Sequence, residues 1–295
     1  MRKIFCIIIT TVIFLSTASG GSNGLAFLQI SPDVRSSAMG ETGVAAGDER
    51  GASHYNPALL GIMDRRGISL AHHQWIQDVG VNFLEVHFIS KLNIEFSLIS
   101  TGVEDIEVRT NPTTEPEAYI DSQDLSAGLA FSYSVRSNFH MGLNLKFIHE
   151  HIYSENTDGM ALDLGLLWAV SERLTIGVSA VNLGRMSKML EEAPELPATG
   201  RVGAAYTILT APLGKVQLAA GLTYVREEEF RGNTGIEWQP IGLIALRGGY
   251  LFNYDERNFT AGAGLRWKNL GFDFAYLPFD SDLGEVKRFG VWIDF

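Results

Sequence analysis

Hydrophobic and polar residues alternate along most of the chain beyond residue 66. In one run, Met141, Leu143 and Leu145 occupy every second position, and the polar residues Asn144 and Lys146 occupy positions of the other phase. Because successive side chains of a strand point to opposite faces, this period of two predicts strands with one apolar and one polar face. About fourteen such runs follow one another, separated by turn residues. We predict strands over residues 67–75, 79–89, 92–107, 125–135, 139–151, 158–170, 174–182, 201–207, 216–226, 230–239, 244–254, 259–267, 271–277 and 286–295.

An even number of alternating strands is typical of a bacterial outer-membrane barrel, in which one face meets lipid and the other meets a polar lumen. The prolines agree, because proline cannot donate to a strand ladder and each proline beyond residue 66 falls in a predicted connection. The sequence therefore predicts an all-β fold, an antiparallel transmembrane β-barrel of about 14 strands. Both ends of the barrel domain are expected in the periplasm, with longer loops such as 108–124 facing outward.

The last predicted strand places Phe289, Val291, Ile293 and Phe295 on one apolar face. Outer-membrane barrels commonly carry an aromatic strand of this kind at the end, where the last strand must pair with the first to remove the sheet edges. We predict that these four residues form a signal for the barrel-assembly machinery. Lipid of the outer membrane would surround the folded barrel.

Residues 1–20 have the pattern of a secretory signal peptide. Arg2 and Lys3 precede an apolar core at 4–15, and small residues at 16–20 form a cleavage zone. The only cysteine, Cys6, lies in this segment, so the mature chain is predicted to have no thiol chemistry. We predict a cleaved signal peptide and a location in the outer membrane of a Gram-negative cell.

Residues 21–66 form a different kind of segment, rich in Gly, Ala, Ser and Asp. Short helices are predicted at 34–39 and 56–62, where Asn56 can cap the helix and Pro57 occupies its first position. A barrel of about fourteen strands has an interior that side chains alone need not fill. We therefore predict a small plug at 21–66, inside or against the periplasmic mouth, with Asn56 buried, and a barrel domain at 67–295.

At these residues the sequence resembles a known family. Residues 27–40 (FLQISPDVRSSAMG), 43–45 (GVA) and 55–60 (YNPALL) are similar to the start of PorV/PorQ-family outer-membrane proteins. The elements Ala38-Met39-Gly40 and Asn56-Pro57-Ala58 also resemble the wider FadL-like superfamily of fatty-acid transporters. The resemblance implies a fourteen-stranded barrel with an N-terminal plug, in which these six residues form the plug motif. For PorV and PorQ it further implies a role in type IX secretion, handling cargo at the cell surface.

The net charge and the short sequence motifs bear on which classes of function are possible. The net charge of −11 opposes nucleic-acid binding, and no basic aromatic patch is present. No nucleophile elbow, zinc-protease motif, phosphate-binding loop or dinucleotide fingerprint appears. His149 and His151 share a predicted strand face with Tyr153 at a spacing that suits a metal, but polar residues at an outer rim are the favoured interpretation. We predict no catalytic residue, no metal site and no cofactor.

Several polar residues fall at inward positions of the predicted strands. Because buried charges tend to pair, we expect them to form a network in the lumen with the plug. These residues are Asn144, Lys146, Asp163, Glu237, Arg247, Arg266 and Asp273.

Three functions are compatible with the sequence. The favoured one is a docking barrel of the PorV/PorQ type, which handles secreted proteins through its outer rim, where Met186, Met189 and Leu190 could supply an adaptable surface. The alternative is a FadL-like channel for uptake or export of hydrophobic small molecules, with the plug lining an apolar pocket. The third is an outer-membrane hydrolase, which the lack of catalytic motifs disfavours. The first two share a fold, and a fold does not decide a function.

Overall fold

The computed structural model describes residues 25–47, 50–75, 79–89, 92–108, 116–189, 191–210, 214–280 and 284–295. The predicted signal peptide at 1–20, with Cys6, lies outside the described residues, as do residues 21–24 of the predicted plug. Leu190, one residue of the expected docking surface, also lies outside them.

Fourteen antiparallel strands form a closed barrel in which each strand pairs with its neighbours in the sequence. The first and last strands close the barrel in a register that runs from Gly67 opposite Asp294 to Gln74 opposite Lys287. The predicted all-β antiparallel barrel is therefore confirmed. The strands are β1 (Gly67–Gln74), β2 (Gly80–Phe88), β3 (Asn93–Val108), β4 (Ala118–Arg136), β5 (Phe139–Ile152), β6 (Glu155–Ala169), β7 (Leu174–Met186), β8 (Thr199–Thr210), β9 (Gly214–Val225), β10 (Phe230–Ile241), β11 (Ile244–Phe252), β12 (Phe259–Trp267), β13 (Leu270–Pro278) and β14 (Glu285–Asp294).

The barrel wall has an apolar outer face and an inner face of polar and small residues. In β14, Phe289, Val291 and Ile293 are 43%, 48% and 39% exposed, whereas the alternating residues Gly290 and Trp292 between them are buried. The other strands likewise expose large apolar side chains on the outside. Such a band is what a barrel presents to lipid, and it is the reason that alternation marks the strands in the sequence.

Residues 25–47 and 50–66, which we call the N-terminal segment, run through the lumen from one end to the other. The near end is where β1 begins and β14 ends, and the far end lies opposite. At the far end Gln29 Nε2 donates to Glu228 Oε1 at 3.4 Å, and at the near end Phe295 N donates to Arg66 O at 3.0 Å. The helices of the segment are α1 (Val34–Ala38), α2 (Gly43–Ala46) and three 3₁₀-helices, Ala26–Gln29, Ala52–His54 and Pro57–Ile62. None of the helices in the described residues is both long and apolar enough to cross a membrane.

The N-terminal segment occupies more of the lumen than a plug at the mouth would. The predicted helices at 34–39 and 56–62 are present, with bounds that differ by one residue at one end of each. The structure adds α2 and the other two 3₁₀-helices. These turns allow a short chain to fill the length of a wide barrel.

Strand β4 begins earlier than predicted, at Ala118 rather than at residue 125. It pairs with β3 through Glu107 opposite Tyr119, so residues 118–124 of the expected loop at 108–124 belong to β4. Residues 121–124 are all polar. Backbone hydrogen bonds pair this part of β4 with β3, and they require no apolar side chains. The start of the strand therefore has no hydrophobic alternation by which the sequence could reveal it.

Pro240 lies in β10 and Pro278 is the last residue of β13, whereas the sequence prediction places both in connections. The register between β10 and β11 shifts between Trp238 and Ile241. A residue without an N–H is tolerated at such an irregularity, because no ladder hydrogen bond from it is required there.

Candidate functional site

Glycines on the inner face of the barrel allow the N-terminal segment to lie against the wall. A Cβ atom at Gly142 would collide with the backbone of Ala58, and one at Gly249 would collide with the backbone of Gly40. The segment therefore approaches the strands more closely than side chains would permit. Helix α1 contacts β11–β14, α2 contacts β7–β9, and Pro57–Ile62 contacts β3–β6.

Ala38, Met39 and Gly40, from the predicted plug motif, turn the chain at the end of α1. Thr260 Oγ1 accepts a hydrogen bond from Gly40 N at 2.9 Å and donates one to Ala38 O at 3.0 Å. Asn233 Nδ2 donates to Gly40 O at 2.8 Å. Ala38 and Met39 are fully buried, and the φ of Gly40 is +65°, a conformation that glycine adopts most readily.

Asn56, Pro57 and Ala58 begin the last helix of the segment. Asn56 Oδ1 accepts from Ala58 N at 3.0 Å, and Nδ2 donates to Val44 O at 2.9 Å and to Leu166 O at 3.0 Å. One buried amide thus joins this helix to α2 and to β6. The predicted burial of Asn56 is confirmed, whereas the role of the six residues as a plug motif stays a prediction.

Replacing Asn56 with leucine is expected to destabilise the N-terminal segment by about 1–3 kcal/mol, because three buried backbone groups lose their partner. Faster hydrogen exchange of the amides at 43–46 and 58–62 in the folded barrel would report the change. Asn138→Leu, at an exposed turn, is the matched control and should leave that exchange unchanged. Equal exchange in both variants would contradict the prediction.

A buried charge network holds α1 against β10–β13. Arg35 Nε and Nη2 each donate to Glu237 at 2.9 Å, and Arg35 Nη1 donates to Ala46 O at 2.6 Å. Arg247 Nε donates to Glu237 at 2.7 Å, and Arg247 Nη1 donates to Asp273 at 2.5 Å. Because buried charges are stable only when paired, this part of the expected lumen network fixes the segment to the wall.

Other predicted inward residues pair within the wall itself. Lys146 Nζ lies 2.8 Å from Asp163 Oδ2, and Asn144 Nδ2 donates to the same carboxylate at 3.0 Å. The guanidinium of Arg266 lies 5.1 Å from the Trp292 ring. These contacts join neighbouring strands, so only part of the expected network involves the N-terminal segment.

A cavity of about 380 Å³, which we call the far-end cavity, opens at the far end of the lumen. The N-terminal segment forms its floor. Its walls are the far ends of β8–β10, the β11–β12 connection and the residues that follow β1 and β13. The side chains that distinguish it are four aromatic residues and three arginines, namely Tyr55, Trp75, Tyr254, Phe279, Arg201, Arg231 and Arg257.

Aromatic rings surround the guanidinium of Arg257. Its central carbon lies 5.7 Å from the ring centroid of Trp75, 5.5 Å from that of Tyr254 and 5.6 Å from that of Phe279. Trp75 and Phe279 also pack edge to face, with centroids 5.6 Å apart. The quadrupole of each ring attracts the cation, so these contacts hold the β11–β12 connection over the cavity.

Glu41 of the N-terminal segment pairs with Arg257. Arg257 Nη2 donates to Glu41 Oε1 at 2.7 Å. Burial alone raises the pKa of Glu41, but the positive charges of Arg257 and Arg288 outweigh burial and lower the pKa below its usual value. The carboxylate is therefore ionised at neutral pH, and the pair joins the segment to the far-end connection.

Two arginines of the far-end cavity have buried donors without an acceptor. Nη1 of Arg201 and Nη1 of Arg257 form no hydrogen bond to any described residue. The Arg201 guanidinium packs 5.2 Å from the ring centroid of Tyr55. An unsatisfied buried donor costs about 1–3 kcal/mol, so these atoms mark a place where a ligand acceptor would be stabilising.

His149 and His151, the metal candidates, pair instead with residues of β6. His149 Nδ1 lies 2.8 Å from Asp158 Oδ1, and His151 Nδ1 lies 2.7 Å from Asn156 Oδ1. Over the described ranges, no group of three or more His, Cys, Asp or Glu residues could hold a metal ion. Both histidines are polar residues at the far-end rim, the interpretation that the sequence favours.

The predicted assembly-signal residues all face outward. Phe289, Val291, Ile293 and Phe295 are exposed on the lipid-facing side of the seam between β14 and β1. This orientation makes them accessible from outside the barrel. Their role in assembly stays a prediction.

Sequence reasoning missed the arginines of the far-end cavity. Arg201 on β8 and Arg231 on β10 both lie opposite Thr223 of β9, in one row across three strands. These two arginines point inward near the ends of two strands that are separated by one strand. A predicted strand register could have revealed that they lie close together. Arg257 lies in a connection, where no periodicity identifies it.

Three solved structures have a similar architecture. The toluene transporter TodX of Pseudomonas putida matches with a TM-score of 0.63 at 11% identity, over 88% of this chain and 96% of that chain. The toluene transporter TbuX of Ralstonia pickettii matches with a TM-score of 0.61 at 14% identity, over 90% and 97%. A FadL homologue of Pseudomonas aeruginosa matches with a TM-score of 0.62 at 11% identity, over 90% and 99%.

This chain has the FadL-like barrel fold. At such low identity the likeness establishes the fold and not the function. No protein-family model and no curated protein matches the chain. The FadL-like resemblance of the sequence is thus supported at the level of fold, whereas the PorV/PorQ resemblance is not confirmed.

Proposed function

We propose that this chain is a non-enzymatic outer-membrane channel for small hydrophobic molecules, with its far end outside the cell and its near end in the periplasm. The observation that carries the proposal is the far-end cavity, with aromatic walls above a floor formed by the N-terminal segment. Its lining combines aromatic rings with charged and hydroxyl side chains, and a concave site in which apolar surface meets convergent polar groups is the usual form of a small-molecule site. That TodX and TbuX are toluene transporters supports this choice.

The N-terminal segment would act as the gate. Below the far-end cavity, the void between the segment and strands β1 and β14 holds about 20 Å³, room for about one water molecule. This void is too small for a solute such as toluene, so a solute that takes this route passes only if the segment moves. Reversible hydrogen bonds and ion pairs hold the segment to the wall, so it can shift and return.

A docking function in type IX secretion has less support. The far-end connection between β5 and β6 contains only Tyr153 and Ser154. Met186, expected on an adaptable outer surface, is buried and packs in the same apolar cluster as Leu196. Cargo docking would use an exposed apolar patch, and the sequestration of Met186 favours transport instead.

A disulfide between the segment and the wall tests the gate. A Cβ atom at Gly290 would lie 3.6 Å from Val34 Cβ, within the ~3.5–4.5 Å that disulfides require. In the double variant Val34→Cys, Gly290→Cys, we expect oxidation to lower the uptake of labelled toluene by whole cells by about tenfold or more. Reduction should restore the uptake.

The two single variants, treated with the same oxidant, are the matched controls. Cys6 lies in the predicted signal peptide, so the engineered pair has no native competitor after cleavage. Unchanged toluene uptake in the fully oxidised double variant would show that the segment is not the gate. Uptake equal to that of cells without the protein, in every variant, would reject the channel itself.

A further inference from the structure

Three arginines line the far-end cavity, and two of them are in contact with a carboxylate. Arg257 pairs with Glu41 at 2.7 Å, and Arg231 pairs with Glu228 at 2.5 Å. Arg201 has no carboxylate within ion-pair distance among the described residues, although it lines the same cavity. Arg201 acts on Glu41 only at longer range, so its guanidinium has no carboxylate in contact within the described part of the chain and is available to an anion from outside.

Further charges lie around the cavity. Asp255 and Glu256 lie at the mouth and are exposed, so solvent and salt screen their charges. Arg288, fully buried, packs 5.0 Å from the Trp75 ring and donates to Ser31 O at 2.6 Å. Arg288 Nε and Nη2 form no hydrogen bond to a described residue. Arg288 therefore adds a buried positive charge next to the cavity, which Glu41 and Asp33 offset only in part.

The unsatisfied donors suit a carboxylate. Nη1 of Arg201 and Nη1 of Arg257 are both buried and lack acceptors. A carboxylate offers two oxygens, and its charge-assisted hydrogen bonds to guanidinium groups are about twice as strong as neutral ones. An uncharged hydrocarbon would leave both donors unpaired, at the cost of their desolvation.

The walls suit a flat apolar body next to that carboxylate. Trp75, Tyr254 and Phe279 are each half-buried and lie within 5.7 Å of the Arg257 guanidinium. An aromatic ring gains edge-to-face or offset contacts with such rings that an aliphatic chain does not gain. The volume of about 380 Å³ lies near the lower limit of small-molecule sites, which favours a single ring over a long chain.

We propose that the far-end cavity binds a small aromatic carboxylate, with the carboxylate on Arg201 and Arg257 and the ring among Trp75, Tyr254 and Phe279. The inference rests on the proposed channel function, because it names a class of solute for the same lumen. The inference distinguishes this chain from a channel that carries only uncharged hydrocarbons.

Titration calorimetry on the full barrel in detergent tests the site, with benzoate, toluene and acetate as probes. We expect benzoate to bind about tenfold or more tightly than either toluene or acetate, because only benzoate engages both the arginines and the rings. In Arg201→Gln the benzoate affinity should fall by about tenfold or more, and the toluene affinity should not change. The benzoate affinity of Arg201→Lys should lie between that of the unaltered protein and that of Arg201→Gln, because lysine keeps the positive charge but lacks the planar guanidinium.

Arg185→Gln is the matched control, because Arg185 is exposed near the far end of β7 and does not line the cavity. Its benzoate affinity should equal that of the unaltered protein. Heat-modifiable gel migration would establish that each variant forms a closed barrel. Benzoate binding no tighter than acetate binding, or equal benzoate affinity in the folded Arg201→Gln and Arg185→Gln barrels, would overturn the proposal.

Failure of this inference is distinct from failure of the channel function. Toluene uptake by cells that responds to the Val34–Gly290 cross-link, combined with an absence of benzoate binding, would reject the carboxylate site and leave the channel standing. Benzoate binding that depends on Arg201, in a barrel through which no toluene passes, would support the site and reject the channel for hydrocarbons.

Discussion

A barrel in which leucine replaces Glu237 is expected to release the N-terminal segment from its wall while the strands stay paired. Glu237 is 1% exposed and accepts hydrogen bonds from Arg35, Arg247 and Gln239. Removing one member of a buried ion pair typically costs about 3–5 kcal/mol, since the remaining charge stays in a medium of low polarity. Hydrogen exchange of the amides at 34–46 should therefore rise strongly, with gel migration still that of a closed barrel.

A double-mutant cycle with Arg35→Met isolates the contact. The double variant Arg35→Met, Glu237→Leu removes both charges, so it should be less destabilised than the sum of the single variants by about 0.5–3 kcal/mol. Glu237→Gln keeps the shape and a hydrogen-bond acceptor, and it should fall between the unaltered protein and Glu237→Leu. Strict additivity of the two single effects would mean that this pair does not hold the segment.

A single methyl group at Gly249 is expected to displace the turn after α1. A Cβ at this position would collide with Gly40 N and with the backbone of Met39. The turn cannot move away without losing the hydrogen bonds of Gly40 to Thr260 and Asn233. Overpacking of this kind costs about 1–3 kcal/mol. Gly249→Ala should therefore make the segment near Met39 sensitive to protease in the intact barrel.

Gly248→Ala is the matched control for this experiment, because it adds the same methyl group to the adjacent residue of β11. There a Cβ would lie 3.8 Å from Ile236 Cγ2, in ordinary contact on the other face of the strand. Its protease sensitivity should match that of the unaltered barrel. Equal cleavage of the Gly248→Ala and Gly249→Ala barrels would show that the close approach at Gly249 does not hold the turn.

The barrel strands were predictable because lipid and lumen impose opposite requirements on successive residues. Leu145 and Lys146 are consecutive in β5, so one side chain faces lipid and the other faces the lumen. The same alternation marks the other strands in the sequence. Where neither medium acts, prediction fails. The polar start of β4 near Asp121 and the irregular end of β10 at Pro240 follow only from backbone pairing, which leaves no hydrophobic pattern.

The far-end cavity was not predictable in the same way. Its arginines at 201, 231 and 257 are distant in sequence, and only strand register and the course of a connection bring them together. By contrast, the burial of Asn56 followed from a local signal, a capping residue before proline. The extent of the N-terminal segment along the lumen depends on the glycines it meets on distant strands, such as Gly142 and Gly249.

The contacts of the N-terminal segment reach from β3 to β14, and this range has a consequence for biogenesis. A ribosome makes the segment before any strand that it touches. Helix α1 lacks a complete docking surface until β14 arrives and closes the seam with β1. Contacts between residues so far apart form slowly. Each newly assembled barrel should therefore pass through an ungated stage, with a lumen that is open until its own first-made residues settle inside.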